Sequence, residues 1–240
     1  SKVVHHIHNA DKYGLKEASV KVDFAQVMER VQEKIKKIEP HDSVERYSSL
    51  GVECIIGQAE IIDPYRIKVN NREITTKNIV IATGASPLVP PIPGLKELDY
   101  LTSDNIWQLR EQPENLAVIG GGPIGCELSQ AFARLGSKVT IVEGSEHIMA
   151  REDSEISEFV KKKFESEGIR VLTGFIAKEF GKEDDKGFVI CESETKTEKV
   201  YFDKVIVALG RKANVKGFGL EKMGVTLQKN GTVETDGFLR

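Results

Sequence analysis

A chain of 240 residues with 40% hydrophobic content can bury the core of one large domain or two small ones. Its 34 basic and 37 acidic side chains give a net charge of −3, which argues against nucleic acid or another polyanion as a partner. No run approaches the roughly 18 apolar residues of a membrane span, and the first residues lack the pattern of a signal peptide, so a cytoplasmic protein without membrane contact is expected.

Residues 1–50 read as helical, with Phe24, Val27, Met28, Val31, Ile35 and Ile38 at three- and four-residue spacing and Pro40 as the stop. His5, His6 and His8 do not converge on one helix face, so a solvated surface is expected there rather than a metal site. Short alternating runs at Val52–Gly57, Ile61-Ile62 and Ile67–Val69 predict antiparallel strands, with Asp63-Pro64 and Asn70-Asn71 as turns. Asn78–Ala82 reads as a buried strand ending in Thr83-Gly84. The proline-rich LVPPIPGL that follows reads as an interdomain linker.

From Asn115 the pattern changes to strand, helix, strand, helix. The run LAVIGGGPIGCELSQAFARLG places a Gly-x-Gly-x-x-Gly between an apolar strand and an amphipathic helix. Gly120 suits the tight turn, Gly122 the close approach of a pyrophosphate, and Gly125 the packing of helix on strand. The phosphates would sit on the helix N-terminus, where free N–H groups favour anions. The next strand, Lys138–Val142, ends at Glu143, near the spacing of roughly 20 residues expected for an acid that bonds an adenosine ribose 2′-hydroxyl. A carboxylate there repels a 2′-phosphate, so NAD(H) is expected over NADP(H).

In the second helix Ile156, Phe159, Val160 and Phe164 are expected on one face, with Asp153 or Ser154 as cap and Gly168 at its end. Ile169–Leu172 predicts a third strand, Phe188–Cys191 and Lys199–Phe202 a hairpin, and Lys204–Ala208 a further strand, completing a doubly wound α/β domain. Charge runs such as Lys161–Lys163 and Glu183–Asp185 are expected on solvated faces and loops. The cysteines Cys54, Cys126 and Cys191 are scattered and odd in number, which argues against a disulfide framework. Cys126, opening the helix after the glycine loop, is read as a packed side chain, the alternative being a thiolate favoured by the helix N-terminus. KNIVIATGASP and DKVIVALGRKA echo one another, which suggests a duplicated domain whose first copy lacks its own nucleotide loop. With the start at Ser1 inside a helical pattern, the chain is expected to be a piece of a longer protein.

Taken in order, IVIATGASP with its Pro-Gly linker, YLTSDNIWQL leading to LAVIGGGPIGCELSQ, VTIVEG, VIVALGRKANV and VETDGFLR resemble the FAD-dependent pyridine nucleotide–disulfide oxidoreductases, of the mercuric reductase and dihydrolipoamide dehydrogenase kind. The resemblance covers the whole chain. It implies a doubly wound, Rossmann-like NAD domain at residues 113–231 and a truncated FAD-binding domain of the same superfamily at residues 1–112, with a linker near 86–112. Residues 232–240 would return toward the FAD domain. It further implies that Gly120, Gly121, Gly122, Pro123, Ile124 and Gly125 surround the NAD pyrophosphate and that Glu143 takes the adenosine ribose. Ile176 would cover the adenine, and Ala208, Leu209, Gly210 and Arg211 would lie beside the nicotinamide half. Glu127 matches a glutamate that pairs with a lysine next to the flavin ring; helix stabilisation alone is the alternative role. Ala59 matches the segment packed on the FAD adenine, and Thr83 and Gly84 the strand end near the flavin nucleotide. Arg211 has an alternative as a surface ion-pair residue.

Against the family pattern, the FAD glycine loop, the Cys-x-x-x-x-Cys pair, the lysine partner of Glu127, the second FAD-binding Gly-Asp segment and the dimerisation domain with its His-Glu pair are not found in this sequence. The resemblance therefore implies a longer, homodimeric parent passing hydride from NADH to FAD and on to a disulfide or mercuric ion. The chain by itself is expected to bind NAD, to retain FAD weakly or not at all, and to lack reductase activity. An NADH oxidase or ferredoxin-reductase-like flavoenzyme without a redox disulfide is the alternative, and a non-catalytic NAD-binding module a third reading.

Overall fold

Helix forms where the apolar spacing predicts it in the N-terminal part of the chain, but in separate pieces. In the computed structural model, which describes residues 1–239, α1 (Lys2–His8) is followed by a short 3-10 turn and then by α2 (Phe24–Ile38). Pro40 ends α2 as expected, falling in a 3-10 turn over Glu39–Asp42. In α3 (Val44–Ser49) the Ser43 hydroxyl accepts the Arg46 N–H at 3.2 Å, an N-cap. Next come β1 (Ala59–Asp63), β2 (Arg66–Val69), β3 (Arg72–Thr75) and β4 (Ala85–Pro87). The remainder is β5 (Asn115–Ile119), α4 (Pro123–Leu135), β6 (Lys138–Glu143), α5 (Ser154–Ser166) and β7 (Arg170–Thr173), then β8 (Ile176–Glu183), β9 (Lys186–Glu192), β10 (Thr197–Phe202), β11 (Lys204–Val207) and β12 (Arg211–Ala213).

Contacts divide the chain into two units, the first comprising Ser1–Glu33 and Pro87–Gly210, the second Lys34–Ser86 and the stretch after Gly210. In the first unit a parallel sheet runs in the order β11-β5-β6-β7. Its central strand β5 is buried along Leu116–Ile119, the continuous apolar run expected of a strand covered on both faces. One layer comprises α4 and α5 with α1 and α2, where Phe24 and Phe132 pack with ring centroids 5.7 Å apart. The other layer is an antiparallel sheet, β10-β9-β8, whose Phe180, Val189 and Phe202 pack with Ala117, Ile119 and Val207. Asp184 and Asp185, at φ 48° and 64°, make the β8–β9 turn. The predicted hairpin thus has a third strand.

The proline-rich segment is docked rather than free. Leu95 is fully buried, and the Pro93 carbonyl accepts the Phe180 N–H at 2.9 Å. Gly94 has φ 75°, and a Cβ there would strike the Phe180 carbonyl.

Behind α4 and α5 lies a half-buried cluster of polar and charged side chains around Glu167. Arg134 holds Glu167 through two hydrogen bonds of 2.8 Å, Lys163 stands 3.1 Å away and His5 3.8 Å. Burial opposes ionisation of Glu167, but the hydrogen bonds from Arg134 and Lys163 prevail and hold its pKa at about 2. A depressed carboxylate stabilises the fold fully above its usual value of 4.5, and that contribution is lost as pH falls through about 2. Glu167→Gln is expected to cost about 2 kcal/mol at neutral pH and to flatten the acid limb of a denaturation profile. His5 is correspondingly half-buried beside Glu167 rather than simply solvated, and burial together with the Arg134 charge lowers its pKa, which favours the neutral ring.

In the second unit β1-β2-β3 form an antiparallel sheet and β12 pairs with β4. The Ile67–Val69 and Ile61-Ile62 strands and the Asp63-Pro64 turn stand as expected, whereas Val52–Gly57 forms no strand. Asn78–Ala82 is also no strand, and Val80 is 88% exposed. A strand buried on both faces needs neighbours on both edges, and no described strand pairs with this segment. Helix α5 differs from expectation too: Ser157 and Phe164 are buried, while Ile156 and Phe159 are exposed.

Candidate functional site

The sheet order puts the topological switch of the first unit between β5 and β11, since β6 and β7 continue on one side of β5 while β11 lies on the other. Ligands of doubly wound sheets bind in the crevice at such a point, outside the carboxyl ends of the strands. Here the β5–α4 glycine loop and the Ala208–Gly210 strand end meet at that place. The Ala208 N–H donates to Ile119 O at 2.7 Å, and a Cβ on Gly120 would strike the Ala208 carbonyl.

Each loop glycine has a distinct physical reason. Gly120 has φ 107°, a conformation that L side chains rarely adopt. A Cβ on Gly125 would fall on the Gly120 carbonyl oxygen, so only glycine lets α4 start this close to β5. Gly121 is buried, and a Cβ there would stand 2.7 Å from Ile148 Cγ2. Gly122 differs: a Cβ would meet nothing within 4 Å, so its outer side is open to an approaching group. It is also the N-cap of α4, with Pro123 in the first turn where a missing N–H costs least. Ile124 is half-buried beside this helix start and Pro123 is exposed.

Glu143 ends β6 facing the loop. Its Oε2 accepts the Gly121 N–H at 2.6 Å and its Oε1 the Ser145 N–H at 2.7 Å. Two carboxylate lone-pair positions remain for hydroxyl donors. Ile176, 54% exposed, lies beside the same edge, its Cγ1 3.5 Å from where a Cβ of Gly144 would be. The open Gly122, the helix N-terminus, the acid and the exposed apolar side chain together fit a dinucleotide. Glu127 is exposed in the second turn of α4. Cys126 is no thiolate: burial pushes its pKa up to about 11, with the Glu143 and Glu127 charges adding to the effect, and its S–H donates to Gly121 O at 3.2 Å.

The structure therefore brings Gly120–Gly125, Glu143, Ile176 and Ala208 together in the first unit, with Leu209 and Gly210 continuing from Ala208. Glu127 lies in the first unit as well, while Arg211, Thr83, Gly84 and Ala59 belong to the second unit. Arg211 donates to the Ala85 carbonyl there, tying β12 to β4. Thr83 Oγ1 donates to Asn214 O at 2.6 Å, and Gly84 O accepts the Asn214 N–H at 3.0 Å. Ala59 and Thr83 line one cavity of about 400 Å³, walled mainly by Ile61, Ile79 and Phe218. Its polar-tipped side chains are Gln58, Thr83 and Lys216, a lining that fits an apolar ring portion of a flavin nucleotide. Arg240, last of the expected return segment, lies outside the described residues.

Sequence reasoning missed the support behind the loop. Ile148 is fully buried under Gly121, and the Met149 N–H donates to Gly121 O at 2.7 Å. The apolar pair Ile148-Met149 in an otherwise polar stretch was the signal available. Among the described residues no cluster of His, Cys, Asp and Glu is arranged to hold a metal, and no helix is long and apolar enough to cross a membrane.

Comparison with known proteins agrees with this geometry. The family model described as pyridine nucleotide-disulphide oxidoreductase matches residues 4–240. A mercuric reductase of Staphylococcus aureus is 36% identical over 95% of this chain and 42% of its own length. A dihydrolipoyl dehydrogenase of Geobacillus stearothermophilus is 33% identical over 95% of this chain and 49% of its own length. The chain thus spans less than half the length of these two relatives. Among solved structures, the HOCl-induced flavoprotein disulfide reductase RclA of Escherichia coli superposes with a TM-score of 0.78 at 27% identity, covering 96% of this chain and 51% of that one. Glycine loop, switch-point crevice and whole-chain match converge: the chain belongs to the pyridine nucleotide-disulphide oxidoreductase family, whose members use FAD and NAD(P)H.

Proposed function

We propose that this chain is the interior portion of a flavoprotein oxidoreductase that passes hydride from NADH to FAD and on to a disulfide or mercuric ion. On this reading residues 113–231 form the NAD domain, residues 1–112 part of the FAD domain, and residues 232–240 the return segment. The longer protein would be a homodimer in the cytoplasm. The observation that carries the reading is the pairing of an open Gly122 at the start of α4 with Glu143 at the end of β6.

The chain's own residues bind and orient. The N-terminus of α4 receives the pyrophosphate, with Gly122 admitting it and Ile124 flanking it. Glu143 accepts from the adenosine ribose hydroxyls, and its charge turns away a 2′-phosphate. Ile176 shields the adenine from water, and Ala208–Gly210 border the nicotinamide half at the switch point. Ala59 and Thr83 contact the flavin nucleotide in the second unit. When bound, NADH supplies the hydride and FAD receives it as an electron pair with one proton's worth of hydrogen.

Thermal denaturation with either nucleotide tests the reading, because a ligand that binds the native state alone raises its midpoint. NAD⁺ is expected to raise the midpoint of this chain and NADP⁺ to leave it in place. Equal shifts, or none, would count against the assignment of Glu143.

A further inference from the structure

Ser157 sits inside α5, 2% exposed, on a buried face shared with Phe164 that the spacing of Ile156 and Phe159 does not mark. A helical serine commonly turns its hydroxyl back on the carbonyl four residues earlier. This one instead donates to the carbonyl of Met149, at 3.2 Å, outside the helix.

Met149 holds an unusual backbone position. Its φ is +53°, a region that costs a non-glycine residue energy unless the surroundings enforce it. What the conformation achieves is visible in its hydrogen bonds. The Met149 N–H donates to Gly121 O at 2.7 Å, while its carbonyl accepts both Ser157 Oγ and the Glu152 N–H, the latter at 2.8 Å. Gly121 is gripped from the other side by Glu143, whose Oε2 accepts its N–H at 2.6 Å, and Ile148 closes the space beneath it. The peptide of Gly121 is thereby fixed by β6 on one side and, through Met149, by α5 on the other.

We propose that Ser157 is a positioning residue for the nucleotide site: by holding the Met149 carbonyl it sets the glycine loop through the Met149–Gly121 bond. It touches no ligand itself. Its effect reaches the nucleotide because Gly122, where a pyrophosphate approaches, follows directly on the peptide that Met149 holds. The inference rests on the reading of this loop as the NAD(H) site, and the test below separates the two.

Ser157→Ala is compared with the unaltered chain in two measurements, well below the unfolding midpoint of both. In hydrogen–deuterium exchange the amides of residues 119–126 are expected to exchange about tenfold faster in the variant, with β8–β10 unchanged. In a titration the NADH dissociation constant is expected to rise about fivefold, the size of effect one neutral hydrogen bond exerts. Ser157→Cys, nearly the same volume with a weaker donor, is expected to fall between the two, and serves alone should the alanine variant fail to fold. Unchanged loop exchange in Ser157→Ala or, in its place, Ser157→Cys overturns the positioning role. A uniform rise across the whole first unit overturns it as well, because it marks a merely structural residue. If the unaltered chain binds no NADH but the loop exchange responds as stated, the positioning stands and the nucleotide reading fails.

Discussion

Gly125→Ala is expected to destabilise the first unit by about 3 kcal/mol, the upper range for overpacking a close contact, and to lower NADH affinity on the order of 100-fold, a geometric loss at a positioned site. The added Cβ falls on the Gly120 carbonyl oxygen, which is backbone and cannot step aside as a flexible side chain can. Either α4 lifts from β5 or the turn at Gly120 opens, and both displace the helix N-terminus. Gly122→Ala is the informative partner. Its Cβ meets nothing within 4 Å, so the stability should stay within about 0.5 kcal/mol of the unaltered chain. Its affinity for NADH should nevertheless fall, because the methyl occupies the side by which the pyrophosphate comes in. Urea denaturation together with NADH titration of both variants reads the difference. Equal stability losses would mean that the two glycines serve the fold alone.

Glu143→Arg is expected to lower NADH affinity on the order of 100-fold and to produce measurable NADPH binding, as an arginine can pair with the 2′-phosphate. Two contributions add in the loss. The ribose acceptor goes, and the N–H groups of Gly121 and Ser145 lose the carboxylate that both donate to. A hydrogen bond to a charged group is worth about 1.5–3 kcal/mol, so the loop itself suffers. Glu143→Gln keeps an oxygen for one of those N–H groups and should retain more of the affinity for NADH while rejecting NADPH less strongly. A Glu143→Arg chain that binds NADH normally, or gains nothing with NADPH, would remove Glu143 from the ribose.

The glycine loop was legible in the sequence because what it requires is local. A positive φ at Gly120, a steric contact at Gly125 and an acid ending the next strand all lie within one βαβ unit. Asn78–Ala82 has the same apolar run as β11, and the two segments echo one another residue by residue. Yet β11 pairs with β5, while Asn78–Ala82 has no described strand beside it. Apolar composition permits a buried strand, and only neighbours make one.

β8 was invisible for a different reason. Its register shifts between Ala177 and Glu179, so its two buried residues, Ala177 and Phe180, lie three apart and the period-2 signal is broken. In α5 the apolar positions follow a helical spacing, but the buried stripe is rotated from it and includes Ser157. That serine has a hydrogen-bonding partner on the preceding loop, which no periodicity encodes. The apolar pair Ile148-Met149 stood out in a polar stretch, but its role under Gly121 depends on where β6 leaves the sheet and on a strained backbone at Met149, which the sequence does not encode.

Calorimetric titration of this chain with NADH and, separately, NADPH tests the central claim most directly. The account predicts a single NADH site per chain with a micromolar dissociation constant and NADPH weaker by tenfold or more, the discrimination of roughly 1.4 kcal/mol or above expected where a carboxylate faces a phosphate. Absence of NADH binding at millimolar concentration, or equal affinity for the two nucleotides, would contradict it.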